Sequence, residues 1–124
     1  MTKQLILIVE DDPNSRKLAR DVLQAKGFET IEAGSAEDGL VLAQTRRPAL
    51  ILMDIQLPRM GGIEALQKLR ADGTTRAIPV IAVTASVMSE QQQNVLEAGF
   101  DAFERKPISV AALLSKIARL LARG

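Results

Sequence analysis

The stretch Leu5-Ile6-Leu7-Ile8-Val9-Glu10-Asp11-Asp12-Pro13 decides the fold. Its first five residues are apolar without interruption, the pattern of a short strand buried on both faces. Three acids end that run. Asp12 before Pro13 then reads as a helix N-cap followed by proline at the first helical position. A doubly buried strand passing straight into a helix is the first half of a β-α-β unit. The same alternation recurs along the chain, with further strand candidates at Phe28 to Ala33, Ala49 to Met53, Pro79 to Thr84 and Ala102 to Arg105. Between them, Ser35-Ala36-Glu37-Asp38 reads as a capping box, with Asp a weaker third-position partner than Glu. Gly27 and Gly99 stand where a left-handed residue closes a helix, each followed by a phenylalanine, Phe28 and Phe100. The last helix opens at Ser109 after Pro107 and places Leu113, Leu114, Ile117, Leu120 and Leu121 on one stripe.

Five β-α units in succession predict an α/β protein, a parallel five-stranded sheet with helices on both faces. Leu5–Val9, Leu50–Met53 and Val80–Val83 are continuously apolar and belong inside the sheet. Phe28-Glu29-Thr30-Ile31-Glu32 alternates and Ala102-Phe103-Glu104-Arg105 is half polar, so both belong at edges. This predicts strand order 2-1-3-4-5, the flavodoxin-like doubly wound (βα)5 arrangement, whose ligands bind beyond the carboxyl ends of the strands, near the switch between strands 1 and 3.

Composition narrows the chemistry. The 124 residues suit one domain, 1–124, with no room for an output domain. Sixteen Lys and Arg against fifteen Asp and Glu leave a net charge of +1, which argues against direct nucleic-acid or anionic-membrane binding. Without Cys or His there are no disulfides, zinc–thiolate sites, histidine-ligated metals or Ser-His-Asp triads. Three Phe are the only aromatics, so a base-stacking platform is missing. The apolar run at the N-terminus is too short for a membrane span and lacks a signal-peptide cleavage site, which predicts a cytoplasmic protein.

What remains is carboxylate, hydroxyl, amine, guanidinium and backbone, and the sheet gathers them. Strand 1 ends in Glu10, Asp11 and Asp12, strand 3 in Asp54, strand 4 in Thr84, and Lys106 follows strand 5. With Asp12 committed to its cap, Glu10 and Asp11 remain as metal ligands. Clustered carboxylates need a cation, and an all-oxygen donor set suits Mg²⁺. A metal, a lysine and a hydroxyl aimed at one carboxylate suit phosphoryl transfer, with Asp54 as the nucleophile. Singly, each residue has a plainer role as turn, cap or strand end; their joint placement at four strand ends favours function.

The segments Leu7-Ile8-Val9-Glu10-Asp11-Asp12, Met53-Asp54-Ile55-Gln56-Leu57-Pro58-Arg59-Met60-Gly61-Gly62, Val83-Thr84-Ala85 and Arg105-Lys106-Pro107 resemble the signatures of response-regulator receiver domains, nearest to single-domain regulators of the chemotaxis and cell-division type. The resemblance covers the whole chain. It implies a phosphoprotein of two-component phosphorelay signal transduction rather than an enzyme with an external substrate. Asp54 would accept phosphate from a sensor histidine kinase or a histidine phosphotransfer protein. Glu10, Asp11, Asp54 and the backbone carbonyl of Gln56 would hold Mg²⁺, with Glu10 replacing the more familiar Asp. Thr84 would hydrogen-bond the phosphoryl group and Lys106 would pair with it. The Lys106-Pro107 bond resembles one commonly cis in the family. Phe103 matches a switch position whose ring turns inward as Thr84 moves, rearranging the face formed by a weak helix over Ser86 to Ala98, strand 5 and the last helix. A downstream protein would read that face, the receiver being a monomer or a phosphorylation-dependent dimer.

Three other readings compete. A flavin-binding flavodoxin shares the topology, but three acids after strand 1 repel phosphate and no Trp or Tyr can stack a flavin. A haloacid-dehalogenase-like Mg-dependent phosphatase needs an Asp-x-Asp pair that Glu10-Asp11-Asp12 does not supply. A degenerate receiver serving as a constitutive interaction module is opposed by the intact acid, Asp, Thr and Lys set.

Overall fold

The computed structural model describes residues 3–85 and 97–123. In chain order they form β1 (Leu5–Val9), α1 (Pro13–Ala25), β2 (Glu29–Ala33), α2 (Ala36–Arg46), β3 (Leu50–Asp54), α3 (Gly62–Ala71), β4 (Val80–Thr84), β5 (Ala102–Arg105) and α4 (Val110–Arg123). The helix expected over Ser86 to Ala98 lies, except for its last two residues, outside the described residues.

The five strands form one parallel sheet in the order β2-β1-β3-β4-β5, as their apolar runs predict. Because successive side chains on a strand face opposite ways, each apolar strand feeds two cores. Ile6, Ile8, Leu50, Leu52, Ile81 and Ala102 pack with Ala19 and Leu23 of α1 and with Leu113, Ile117 and Leu120 of α4. Leu7, Val9, Ala33, Ile51, Met53, Val80 and Ala82 pack on the other face with Ala36 and Ala43 of α2 and Ala65, Leu66 and Leu69 of α3. All five residues of β3 and all five of β4 are buried. Leu114 and Leu121 of the expected α4 stripe border the core and are only half-buried.

The helix ends follow local chemistry. The Asp12 carboxylate accepts from the Ser15 N–H at 3.0 Å and the Ser15 hydroxyl at 2.8 Å, and these bonds hold it below the usual carboxylate range. Ser35 caps α2 by accepting from the Asp38 N–H at 3.2 Å. At the end of α1, the Gly27 N–H donates to the Gln24 carbonyl and the Phe28 N–H to that of Leu23, with Gly27 at φ +90°. That pair of bonds is a Schellman motif, which needs a residue that tolerates the left-handed region. Gly99, at φ +109°, fills the same kind of position. α2 closes on Arg47 in the left-handed region, a role that no glycine marks; Pro48 after it disfavours a further helical residue.

At the amino edge of the sheet, one guanidinium draws several segments together. Arg70 of α3 donates through Nη1 to the carbonyls of Arg76 and Ile78, at 2.9 and 2.7 Å. Through Nη2 it donates to the Gly99 carbonyl at 3.4 Å and to Asp101 Oδ2 at 2.9 Å. The same Asp101 oxygen accepts from the Val80 N–H at 2.8 Å, tying the start of β4 into the cluster.

Candidate functional site

Val9 pairs with Met53 across β1 and β3, so Glu10 and Asp54 fall side by side at the carboxyl edge. Glu10 continues the parity of Ile6 and Ile8, and Asp54 that of Leu50 and Leu52. Both carboxylates therefore leave the sheet on the side of α1 and α4. Beneath them Ile8, Val9, Leu52, Val83 and Ile108 line an apolar cavity of about 10 Å³. Lys106 arrives from the loop after β5, where its N–H donates to the Thr84 carbonyl at 2.9 Å. Its ammonium reaches Glu10 Oε1 at 2.5 Å and Asp54 Oδ2 at 3.0 Å. The other oxygens are held by backbone: the Asp12 N–H donates to Glu10 Oε2 at 3.2 Å, and the Gln56 N–H to Asp54 Oδ1 at 2.8 Å. The peptide bond from Lys106 to Pro107 is cis, as the resemblance implied.

Asp11 is exposed at the rim, and one carboxylate oxygen each from Glu10, Asp11 and Asp54 lie within 4.8 Å of one another. Three carboxylates face one ammonium, which leaves an excess of negative charge. A hard divalent cation with oxygen ligands fits that donor set and that charge, Mg²⁺ keeping waters and phosphate oxygens in its remaining positions. Burial, followed by contact with Asp54, pushes the Glu10 carboxyl from 4.5 up to about 7, although Lys106 pulls the other way. For Lys106 burial alone would lower the value, but its bonds to Glu10 and Asp54 outweigh it and hold the ammonium above its ordinary range.

The Glu10 shift has a signed consequence. Folded protein binds the Glu10 proton more tightly than unfolded protein, so its contribution to stability is present below pH 4.5 and is lost as pH rises toward about 7. In magnesium-free buffer, thermal unfolding of Glu10→Gln across that window should fall less steeply than that of the wild type. Parallel curves would place the titrating group elsewhere.

Thr84 is fully buried at the end of β4, with the parity of Val80 and Ala82, and so stands on the opposite face of the sheet from Glu10 and Asp54. Phe103 pairs with Ala82 and is half-buried against the core of α2 and α3, which puts its ring on the same face as Thr84. The Phe103 carbonyl accepts from Lys116 Nζ of α4 at 2.7 Å. The acid cluster, Asp54 and Lys106 thus meet directly, while Thr84 and Phe103 form a second pair across the sheet edge.

Two features escaped the sequence reading. Glu104, on a strand that its half-polar composition assigns to an edge, is buried against Lys116 at 2.6 Å. Arg16 donates from Nη1 to the Glu10 carbonyl at 3.0 Å. Its one signal was a cation in the opening turn of α1, against the helix dipole, with no acid in that turn.

Residues 6–118 match the model of the response regulator receiver domain. The polar-differentiation response regulator DivK of Brucella ovis is 44% identical over 117 residues, 94% of each chain. A CheY-like receiver domain protein from Methanospirillum hungatei superposes with a TM-score of 0.89 at 33% identity, covering 98% of this chain and 96% of that one. The receiver domain of a Pseudomonas aeruginosa sensor histidine kinase, solved with a magnesium ion coordinated in its active-site cleft, gives a TM-score of 0.90 at 30% identity over 98% and 99%. Among the described residues no helix is long and apolar enough to cross a membrane.

Proposed function

We propose, for a chain that belongs to the response-regulator receiver family of two-component signalling, that it is a phosphoryl switch written on Asp54. The observation carrying this reading is the posture of Asp54, with one oxygen on the Gln56 N–H and the other on Lys106, beside two further acids. A carboxylate oxygen of Asp54 bonds to phosphorus as the bond from phosphorus to the donor, a phosphohistidine of a sensor kinase or phosphotransfer protein, breaks. Lys106 turns to the new phosphoryl oxygens, and the Thr84 hydroxyl donates to one of them. Glu10, Asp11, Asp54 and the Gln56 backbone carbonyl would hold Mg²⁺, which supplies charge neutralisation of the phosphoryl oxygens. A magnesium ion in the cleft of the Pseudomonas aeruginosa receiver supports that assignment.

Movement of Thr84 toward phosphate makes room for Phe103 on their shared face, biasing a two-state change of segment 86–98, β5 and α4. A downstream protein reads this face, and the receiver works as a monomer or as a dimer formed on phosphorylation. Amide exchange with and without beryllofluoride should change along this face. A response confined to α1 and α2 would overturn the output face while leaving the acceptor in place.

Mg²⁺ should stabilise the fold by relieving carboxylate repulsion, by about 2.7 kcal/mol at a hundredfold excess over its Kd. Asp11→Ala should lose most of that gain. Asp12→Ala should weaken α1 but keep the full response, because its carboxylate is spent on Ser15. The reverse pattern in thermal unfolding would mean that the ligands are the wrong acids.

A further inference from the structure

We propose that Arg16 is a positioning residue for the metal ligands, setting the aim of Asp11 through the backbone of Glu10. The proposal rests on the reading of Glu10, Asp11 and Asp54 as magnesium ligands.

Asp11 is exposed, so its direction out of the sheet depends on the peptide that joins it to Glu10. The peptides on either side of Glu10 are both clamped, the one leading to Asp11 by Arg16. The Glu10 N–H donates to the Ala33 carbonyl at 3.0 Å, and the Glu10 carbonyl accepts from Arg16 Nη1 at 3.0 Å. Because a peptide unit is planar, fixing the Glu10 carbonyl also fixes the nitrogen of Asp11 and the path of its Cα. Arg16 is itself held: its Nε lies 3.2 Å from Glu32 Oε1 on β2, while Arg20 Nη1 contacts both oxygens of that carboxylate, at 3.2 and 3.1 Å. Glu32 neighbours Ala33, so the two clamps on Glu10 come from adjacent residues of β2 and from the helix facing it.

Arginine suits this task. One edge of its planar fork pairs with Glu32 while Nη1 reaches the carbonyl, and a lysine, with a single nitrogen, holds only one of the two in good geometry. The pairing also answers the cost of a cation in the opening turn of α1. Outer residues that orient ligands in this way typically control metal affinity by about 10–100-fold.

The test separates this role from that of a simple α1–β2 staple. Calorimetric Mg²⁺ titrations of the full chain would compare wild type with Arg16→Lys, Glu32→Gln and Asp11→Ala, alongside thermal unfolding without metal. Arg16→Lys should unfold close to the wild-type temperature yet bind Mg²⁺ on the order of tenfold more weakly. Its Glu10 carbonyl ¹³C resonance should move upfield in the metal-free protein as the hydrogen bond is lost. Glu32→Gln, which loosens Arg16 without removing it, should shift affinity in the same direction. If both variants keep the wild-type Kd while Asp11→Ala abolishes binding, Arg16 is only a staple and the proposal is overturned. If Asp11→Ala binds Mg²⁺ as the wild type does, the metal site itself is misassigned, and the role of Arg16 falls with it.

Discussion

The Asp54→Asn variant should take up no phosphoryl label from acetyl phosphate at any magnesium concentration, while remaining folded. An amide of nearly the same shape can still accept from the Gln56 N–H, as Asp54 Oδ1 does at 2.8 Å. It has no anionic oxygen to attack phosphorus. The loss should be complete rather than partial, because Asp11 is exposed at the rim and Glu10, though buried, is tied up by Lys106 and the Asp12 N–H. The fold should tolerate the change, since Lys106 keeps its partner in Glu10. The variant also removes the negative neighbour that helps to raise the Glu10 carboxyl. Intact-mass spectrometry of wild type and variant measures both outcomes. Stoichiometric phosphate on another residue of the variant would overturn the assignment of the acceptor.

The second large effect is expected at Gly62, the first residue of α3. A Cβ there would lie 2.6 Å from the Ile55 Cα and 2.9 Å from the Asp54 carbonyl oxygen. Both are main-chain atoms that cannot rotate aside. Gly62→Ala should therefore cost about 1–3 kcal/mol, the range for overpacking, even though alanine is the better helix former. The contact falls on the carbonyl of Asp54, the proposed acceptor, so phosphorylation and Mg²⁺ affinity should drop along with stability. Gly61→Ala is the control: its Cβ would meet only the Ile55 carbonyl oxygen, at an ordinary 3.6 Å, and its φ of −76° suits any residue. Urea midpoints that move equally in the two variants would show that backbone approach at position 62 is not the cause.

Much of this architecture could be read from the chain because its strands are short, apolar and distinct in pattern. Leu5–Val9 and Val80–Thr84 could hardly be anything but interior, and the alternation of Glu29 to Glu32 marks an edge. The same reading placed Glu10, Asp54 and Lys106 together, because parallel strands bring their carboxyl ends to one rim whatever their separation in sequence. What it could not reach were contacts made by long side chains. Lys116 and Arg16 can each sweep several ångströms from their helices, and nothing in residue order says that one finds Glu104 and the other the Glu10 carbonyl. The burial of Glu104 was hidden for a related reason: a carboxylate at a strand edge is masked from solvent only when a helix brings it a cation. The closeness of Gly62 to Asp54 was equally invisible, since the sequence gives a glycine but not which backbone passes beside it.

The Arg70 cluster acquires a meaning once the chemistry is placed at the opposite rim. Displacement becomes a signal only when measured against something that stays still. Arg70 ties the carbonyls of Arg76, Ile78 and Gly99 to Asp101, and through Asp101 to the start of β4. β4 thus has its amino end moored and Thr84, proposed to bond the phosphoryl group, at the other. On the proposed switch, the strand would act as a lever whose fulcrum is a single guanidinium, a small shift at Thr84 turning the tip of the strand against a fixed base instead of sliding it along its neighbours.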